Sequence, residues 1–217
     1  MLSTEQLAGF LAASVLLTIS PGPDVLATIS IGLSRGWRAA VSFGCGCGSG
    51  CLLHTGLAVV GAAAALRSSP VAFTMLKFIG GGYLAWLGWG ALRSSFSTPS
   101  SGGTVGEVPD VEVERRRNIL SRQYFARGLL ANATNPKVAL FFLAFLPQFV
   151  RSGQTSGEIQ LAMLGGLFTA QAIFIFAAIG FFSGQVGQLL TSRPAISRWL
   201  DRLCGLLFLA LAVLMLI

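Results

Sequence analysis

Ser20-Pro21-Gly22-Pro23-Asp24 interrupts one apolar run, and Asn132-Ala133-Thr134-Asn135-Pro136-Lys137 interrupts another. Proline has no amide hydrogen and clashes with the carbonyl four residues earlier. In a helix, Pro21 would therefore free the carbonyl of Leu17, Pro23 that of Ile19 and Pro136 that of Asn132. The interrupted runs extend over about Leu7–Leu33 and Ala126–Val150, long enough to cross a bilayer. An unpaired carbonyl in hydrocarbon costs several kcal/mol, so broken backbone is tolerated there only inside protein or beside a wet cavity. Each break can also start a new half-helix, with Ser20 or Gly22 and Asn135 as N-caps and Pro23 and Pro136 at the first helical position.

The rest of the chain agrees with a membrane setting. Of its 217 residues 53% are hydrophobic and only 11% are charged, against about 25% charged in ordinary soluble domains. The mean hydropathy is +0.73. Four more apolar segments lie at about Ala39–Leu66, Val71–Leu92, Ile159–Leu190 and Trp199–Ile217. The expected fold is an all-α integral membrane protein with six transmembrane helices, the first and fourth broken at prolines. No Lys or Arg precedes the first apolar stretch and no small-residue cleavage site follows it, so it reads as a span, not a signal peptide.

The net charge of +7 sits between the spans, where basic residues set orientation; it does not point to nucleic acid. Eleven arginines (Arg35, Arg38, Arg93, Arg115, Arg116, Arg117, Arg122, Arg127, Arg193, Arg198 and Arg202) fall on one side, against Arg67, Lys77 and Arg151 on the other. The richer side is expected in the cytoplasm, with both termini outside. Residues 94–123 read as a flexible cytoplasmic linker whose Arg115-Arg116-Arg117 run would grip anionic lipid. The single domain 1–217 then divides into repeats of three spans, about 1–93 and 124–217. An odd number of spans per repeat inverts one against the other, the geometry of inverted-repeat transporters, whose binding sites lie at broken helices near the midplane. Shifting Pro23 onto Pro136 also pairs Val25 with Val138 and Arg38 with Arg151.

The substrate-binding residues expected from this reading are Ser20, Pro21, Gly22, Pro23, Asp24, Asn132, Asn135, Pro136 and Lys137. Asp24 in the first turn of a half-helix is favoured by the dipole. Lys137 is not, and a membrane cation adds about 2.5–3.5 kcal/mol on insertion scales. An anion must compensate: Asp24 when the site is empty, the carboxylate of a substrate when it is filled. A substrate bearing both charges would place its ammonium at Asp24 and its carboxylate at Lys137 or a half-helix N-terminus. Asp24 would carry the coupled proton, with His54, the only histidine, as either a relay or a packed core residue.

Cys45, Cys47 and Cys51 match neither a zinc spacing nor a C-x-x-C redox motif. With Gly44/Gly48 and Gly46/Gly50 they form a stripe of small residues suited to close helix packing. A membrane thiol or electron carrier built on these cysteines is the competing function. No carboxylate pair or Ser/His/Asp set points to an enzyme, and no metal site or cofactor is implied. The oligomeric state is open, a homodimer being one option.

Three segments resemble the LysE/RhtB family of amino-acid exporters: Ser20–Asp24 through Gly36-Trp37-Arg38, Gly80–Gly88 through Arg93, and Asn135-Pro136-Lys137 through Phe149. The P-G-P and N-P-K blocks are specific when they occur together. The resemblance implies a multi-pass transporter in the bacterial inner membrane that exports amino acids or their derivatives, driven by proton antiport. The family's motif positions fall on Pro21, Gly22, Pro23, Asp24, Asn135, Pro136 and Lys137, and His54 falls where the family often has a polar residue. The cysteine-rich second span is atypical.

Overall fold

The computed structural model describes residues 4–20, 22–68, 113–150 and 156–192, with separate helical positions between 75 and 93 and between 195 and 213. Among the described residues there is no strand. Helix α1 (Thr4–Ile19) is followed by α2 (Pro23–Arg35) and α3 (Trp37–Ser68). Next come α4 (Val113–Ala133), the short α5 (Pro136–Leu140), a π-helical turn (Phe141–Phe145) and a 3-10 turn (Leu146–Phe149). Helices α6 (Gly157–Phe181) and α7 (Ser183–Ser192) complete the described elements.

Both expected breaks are present. The segments Leu7–Ile19 and Pro23–Arg35 meet at 51°, and Ser121–Ala133 and Pro136–Phe149 meet at 52°. Each bent pair is apolar and long enough to be one span. Trp37–Gly61 and Gly157–Phe181, of 25 residues each, are long and apolar enough to cross unbroken. Of the six expected spans, the described residues thus hold two, or four if each bent pair is one span. The other two, Val71–Leu92 and Trp199–Ile217, lie largely outside the described residues. Their described positions meet at Gly88 and Gly205, where a Cβ on either would come within 2.8 Å of the other's carbonyl oxygen.

Two boundaries differ from expectation. The connection expected over 94–123 gives way to helix at Val113, so Arg115-Arg116-Arg117 belongs to α4. After Pro109 the sequence to Gly128 has no helix breaker, and a helix leaving the bilayer can extend into water on propensity alone. The apolar run Ile159–Leu190 is divided at Phe182 into α6 and α7; the stretch ending at Phe181 is already long enough to cross a bilayer, and the more polar Ser183–Ser192 follows.

The small-residue stripe of α3 serves two neighbours. Gly46 and Gly50 face α4: a Cβ on Gly46 would collide with the carbonyl of Phe125, and one on Gly50 would lie 2.8 Å from Asn132. Gly128 returns the contact against the carbonyl of Phe43. Gly44 and Gly48 face α6, where a Cβ would come 2.7 Å from the Phe176 carbonyl and 2.6 Å from Ile173. Backbones can approach this closely only because the side chains are missing. Helix α3 thereby holds α4, with its break, against the rest of the core.

Gly46→Leu and Gly128→Leu should therefore fail to give a monodisperse peak in detergent, or should unfold at lower temperature. Overpacking costs about 1–3 kcal/mol even when the neighbours are side chains, and here they are backbone. Gly56→Leu, where nothing lies within 4 Å, should behave as wild type.

Candidate functional site

The two breaks meet. Ser20, Gly22 and Asp24 from the first, with Asn132, Asn135 and Lys137 from the second, line one chamber, joined by Thr18, Cys51 and Phe168. Its free volume is about 20 Å³, enough for one water molecule. Pro21 lies outside the described residues. Pro23 and Pro136 take the first helical positions, with Gly22 and Asn135 as N-caps. The Asn135 side chain accepts a 3.0 Å hydrogen bond from the Lys137 amide. Gly22 is extended (φ −161°) and needs no glycine for its backbone. A Cβ there would lie 3.3 Å from Lys137 Nζ, so the end of the lysine would have to shift by a few tenths of an ångström.

The carbonyl that Pro136 frees finds new partners. The Asn132 carbonyl accepts from the Asn135 amide at 2.9 Å and from His54 Nε2, also at 2.9 Å. A carbonyl only accepts, so Nε2 bears the hydrogen. His54 is buried and holds the broken end of α4 against α3. The Ser20 carbonyl, at the end of α1, accepts from Lys137 Nζ at 3.2 Å. A helix C-terminus carries partial negative charge, so α1 compensates the half-buried cation that the first turn of α5 disfavours. Sequence reasoning did not foresee this backbone partner.

Asn132 links the remaining groups. It is 1% exposed, and its Nδ2 donates to Asp24 Oδ2 at 2.8 Å. Its Oδ1 accepts a weaker contact from Cys51 Sγ at 3.6 Å. One buried amide therefore ties α2, α3 and α4 together. Cys51 belongs to this wall as well as to the packing stripe; its place one helical turn before Thr55 and next to His54 in register gave no chemical signal in the sequence. Thr18 was also missed, though it lies one turn before Gly22. Among the described residues no group of histidine, cysteine and acidic side chains is arranged to hold a metal ion.

From the chamber wall a ladder of aromatic rings runs to α1. Phe168, in its wall, contacts Phe141 at 5.2 Å between centroids. Phe141 contacts Phe145 at 4.8 Å, Phe145 contacts Phe149 at 4.9 Å, and Phe149 meets Phe10 of α1 edge-on at 5.4 Å. The π-helical turn brings this ladder into line, and such turns are frequent at functional sites.

Asn132→Leu should leave the Asp24 carboxylate without its buried donor. That loss is about 1–3 kcal/mol, and each kcal/mol lowers the thermal midpoint by about 2–4 °C in a chain of this size. Thermal unfolding in detergent measures it; an unchanged midpoint would show that Asp24 is held by something else.

The model of a family described as LysE type translocator matches residues 15–217. The chain is 27% identical over 206 residues to an uncharacterized membrane protein of Vibrio cholerae, covering 95% of this chain and 94% of the relative. It is 27% identical over 205 residues to a leucine efflux protein of Enterobacter sp., covering 94% and 91%. Over 145 residues it is 31% identical to a homoserine/homoserine lactone efflux protein of Salmonella typhimurium, covering 67% and 65%. No solved structure matches the chain.

Proposed function

The chain belongs to the LysE type translocator family, and from that premise we propose that it exports an amino acid or amino-acid derivative across the bacterial inner membrane by proton antiport. It is a transporter and not an enzyme. The observation that carries the reading is the meeting of Asp24, Asn132 and Lys137 from two broken helices in one buried chamber.

In this mechanism the ammonium of the substrate faces Asp24 and its carboxylate faces Lys137, drawing Nζ away from the Ser20 carbonyl. Protonation of Asp24 releases the ammonium, and the returning proton gradient drives the cycle. Asn132 holds the carboxylate of Asp24 in place, and His54 holds Asn132. Because His54 reaches Asp24 only through an amide, which does not readily pass protons, the positioning role is the better supported of the two open to it. A chamber with room for one water must widen to take an amino acid. The two inverted repeats, 1–93 and 124–217, would supply that motion by rocking against each other. Separation of Phe10 from Phe149 opens one face, and movement of α2 against α4 opens the other. The positive-inside orientation places the linker in the cytoplasm, both termini outside, and Arg115, Arg116 and Arg117 at anionic lipid.

The thiol-carrier reading finds no support. Cys47 and Cys51 are buried in the α3 interfaces, and the relatives are efflux proteins.

Overexpression in a bacterium challenged with inhibitory amino acids should relieve inhibition by at least one of them. Lys137→Met and Asp24→Asn, present at wild-type levels in the membrane, should abolish that relief. His54→Gln, which keeps a donor for the Asn132 carbonyl, should retain most of it. Relief unaffected by Lys137→Met would remove the substrate role of this residue, and loss in His54→Gln with intact folding would restore the relay.

A further inference from the structure

We infer that Ser14, Thr18 and Gln171 form a second subsite of the chamber, which receives an uncharged polar group on the substrate's side chain. The inference rests on the export reading and deepens it. Thr18 lines the chamber. Its hydroxyl donates to the Ser14 carbonyl at 2.8 Å and accepts from Gln171 Nε2 at 3.0 Å, so its single proton is committed. Beside it, Ser14 Oγ and Gln171 Oε1 are both buried without a hydrogen-bond partner. Ser14 is wholly inaccessible. Flipping the Gln171 amide only exchanges which of its ends is left over.

Two unmet polar atoms, one on each of the residues that bond the Thr18 hydroxyl, need an explanation, since each is unfavourable by the desolvation of the group. Packing gives none, because alanine and leucine would fill the same positions without that penalty. A ligand group does give one. Ser14 Oγ can donate and accept, and the amide of Gln171 adds one more partner, which matches a hydroxyl or a carbonyl.

The position suits a side chain. Thr18 stands one turn of α1 before Gly22, about 5 Å along the axis. A substrate whose charged groups lie between Asp24 and Lys137 would extend its γ or δ atom to that level. The class follows by exclusion. A cationic side chain would need a second acid, and Asp24 is the sole acid among the described residues that line the chamber. An anionic one would need a second cation beside Lys137. An aliphatic one would leave Ser14 and Gln171 unmet, and a site built to bond a hydroxyl rejects the analogue that lacks it.

The test uses the full-length protein in cells loaded with isosteric pairs, threonine with valine and homoserine with norvaline, with efflux rates measured for each. In wild type the hydroxylated member of a pair should leave roughly tenfold faster or more. Ser14→Ala and Gln171→Leu, made separately and checked for a monodisperse peak in detergent, should each bring the ratio toward one. Equal rates within the pairs in wild type, or a ratio unmoved by both variants, would overturn the subsite and leave export standing. Export of neither member of any pair, nor of any other amino acid, would overturn the subsite together with the function it rests on.

Discussion

A carbonyl that loses its helical partner inside a bilayer must find another donor, and this constraint organises the molecule. Prolines at the two breaks remove amides that would have closed the helices. The carbonyl of Asn132, freed by Pro136, is answered by the imidazole of His54, and that of Ser20, at the end of α1, by the ammonium of Lys137. Neither donor belongs to the helix it repairs. Each repair therefore ties one broken span to another element, and the chamber is the space between the repairs. The same contacts settle two otherwise unfavourable burials, a lysine and a histidine in an apolar bundle.

The glycines of α3 make this arrangement possible at the level of packing. Asn132 reaches Asp24 and Cys51 only because Gly50 lets α4 approach to within contact of the α3 backbone. Gly22 has a milder version of that role on the other side, where a Cβ would only press on the head of Lys137. In both places the absent side chain is used for distance and not for backbone freedom. Gly36, at φ +86°, is the position where conformation itself requires glycine, at the turn from α2 into α3.

Much of this was legible in the sequence, because proline, asparagine caps and small-residue spacing act locally. The breaks, the N-caps Gly22 and Asn135, and the overlapping glycine pairs all follow from neighbours along the chain. What was not legible depends on contacts between distant elements. Nothing in the sequence around Lys137 points to the Ser20 carbonyl, and nothing around His54 points to Asn132. Thr18 and Gln171 sit in apolar runs where one polar residue carries no periodic signal. The helical start of α4 at Val113 carries no hydropathy signal because its first turns are charged, and helix propensity extends it. The π-helical turn at Phe141–Phe145 had no warning residue, as phenylalanine and leucine are compatible with any helical form.

The proposed export rests on one claim, that the space between the two breaks is a polar chamber which would open to each face of the membrane in turn. Thiol labelling tests it directly. In a chain freed of its native cysteines, Ser20→Cys places a single thiol in the chamber wall. Membrane-impermeant reagents are then applied to right-side-out and to inverted vesicles, with and without an exported amino acid. The account expects reaction from both faces, slowed by the amino acid. Reaction from neither face, or from one face only under every condition, would contradict it.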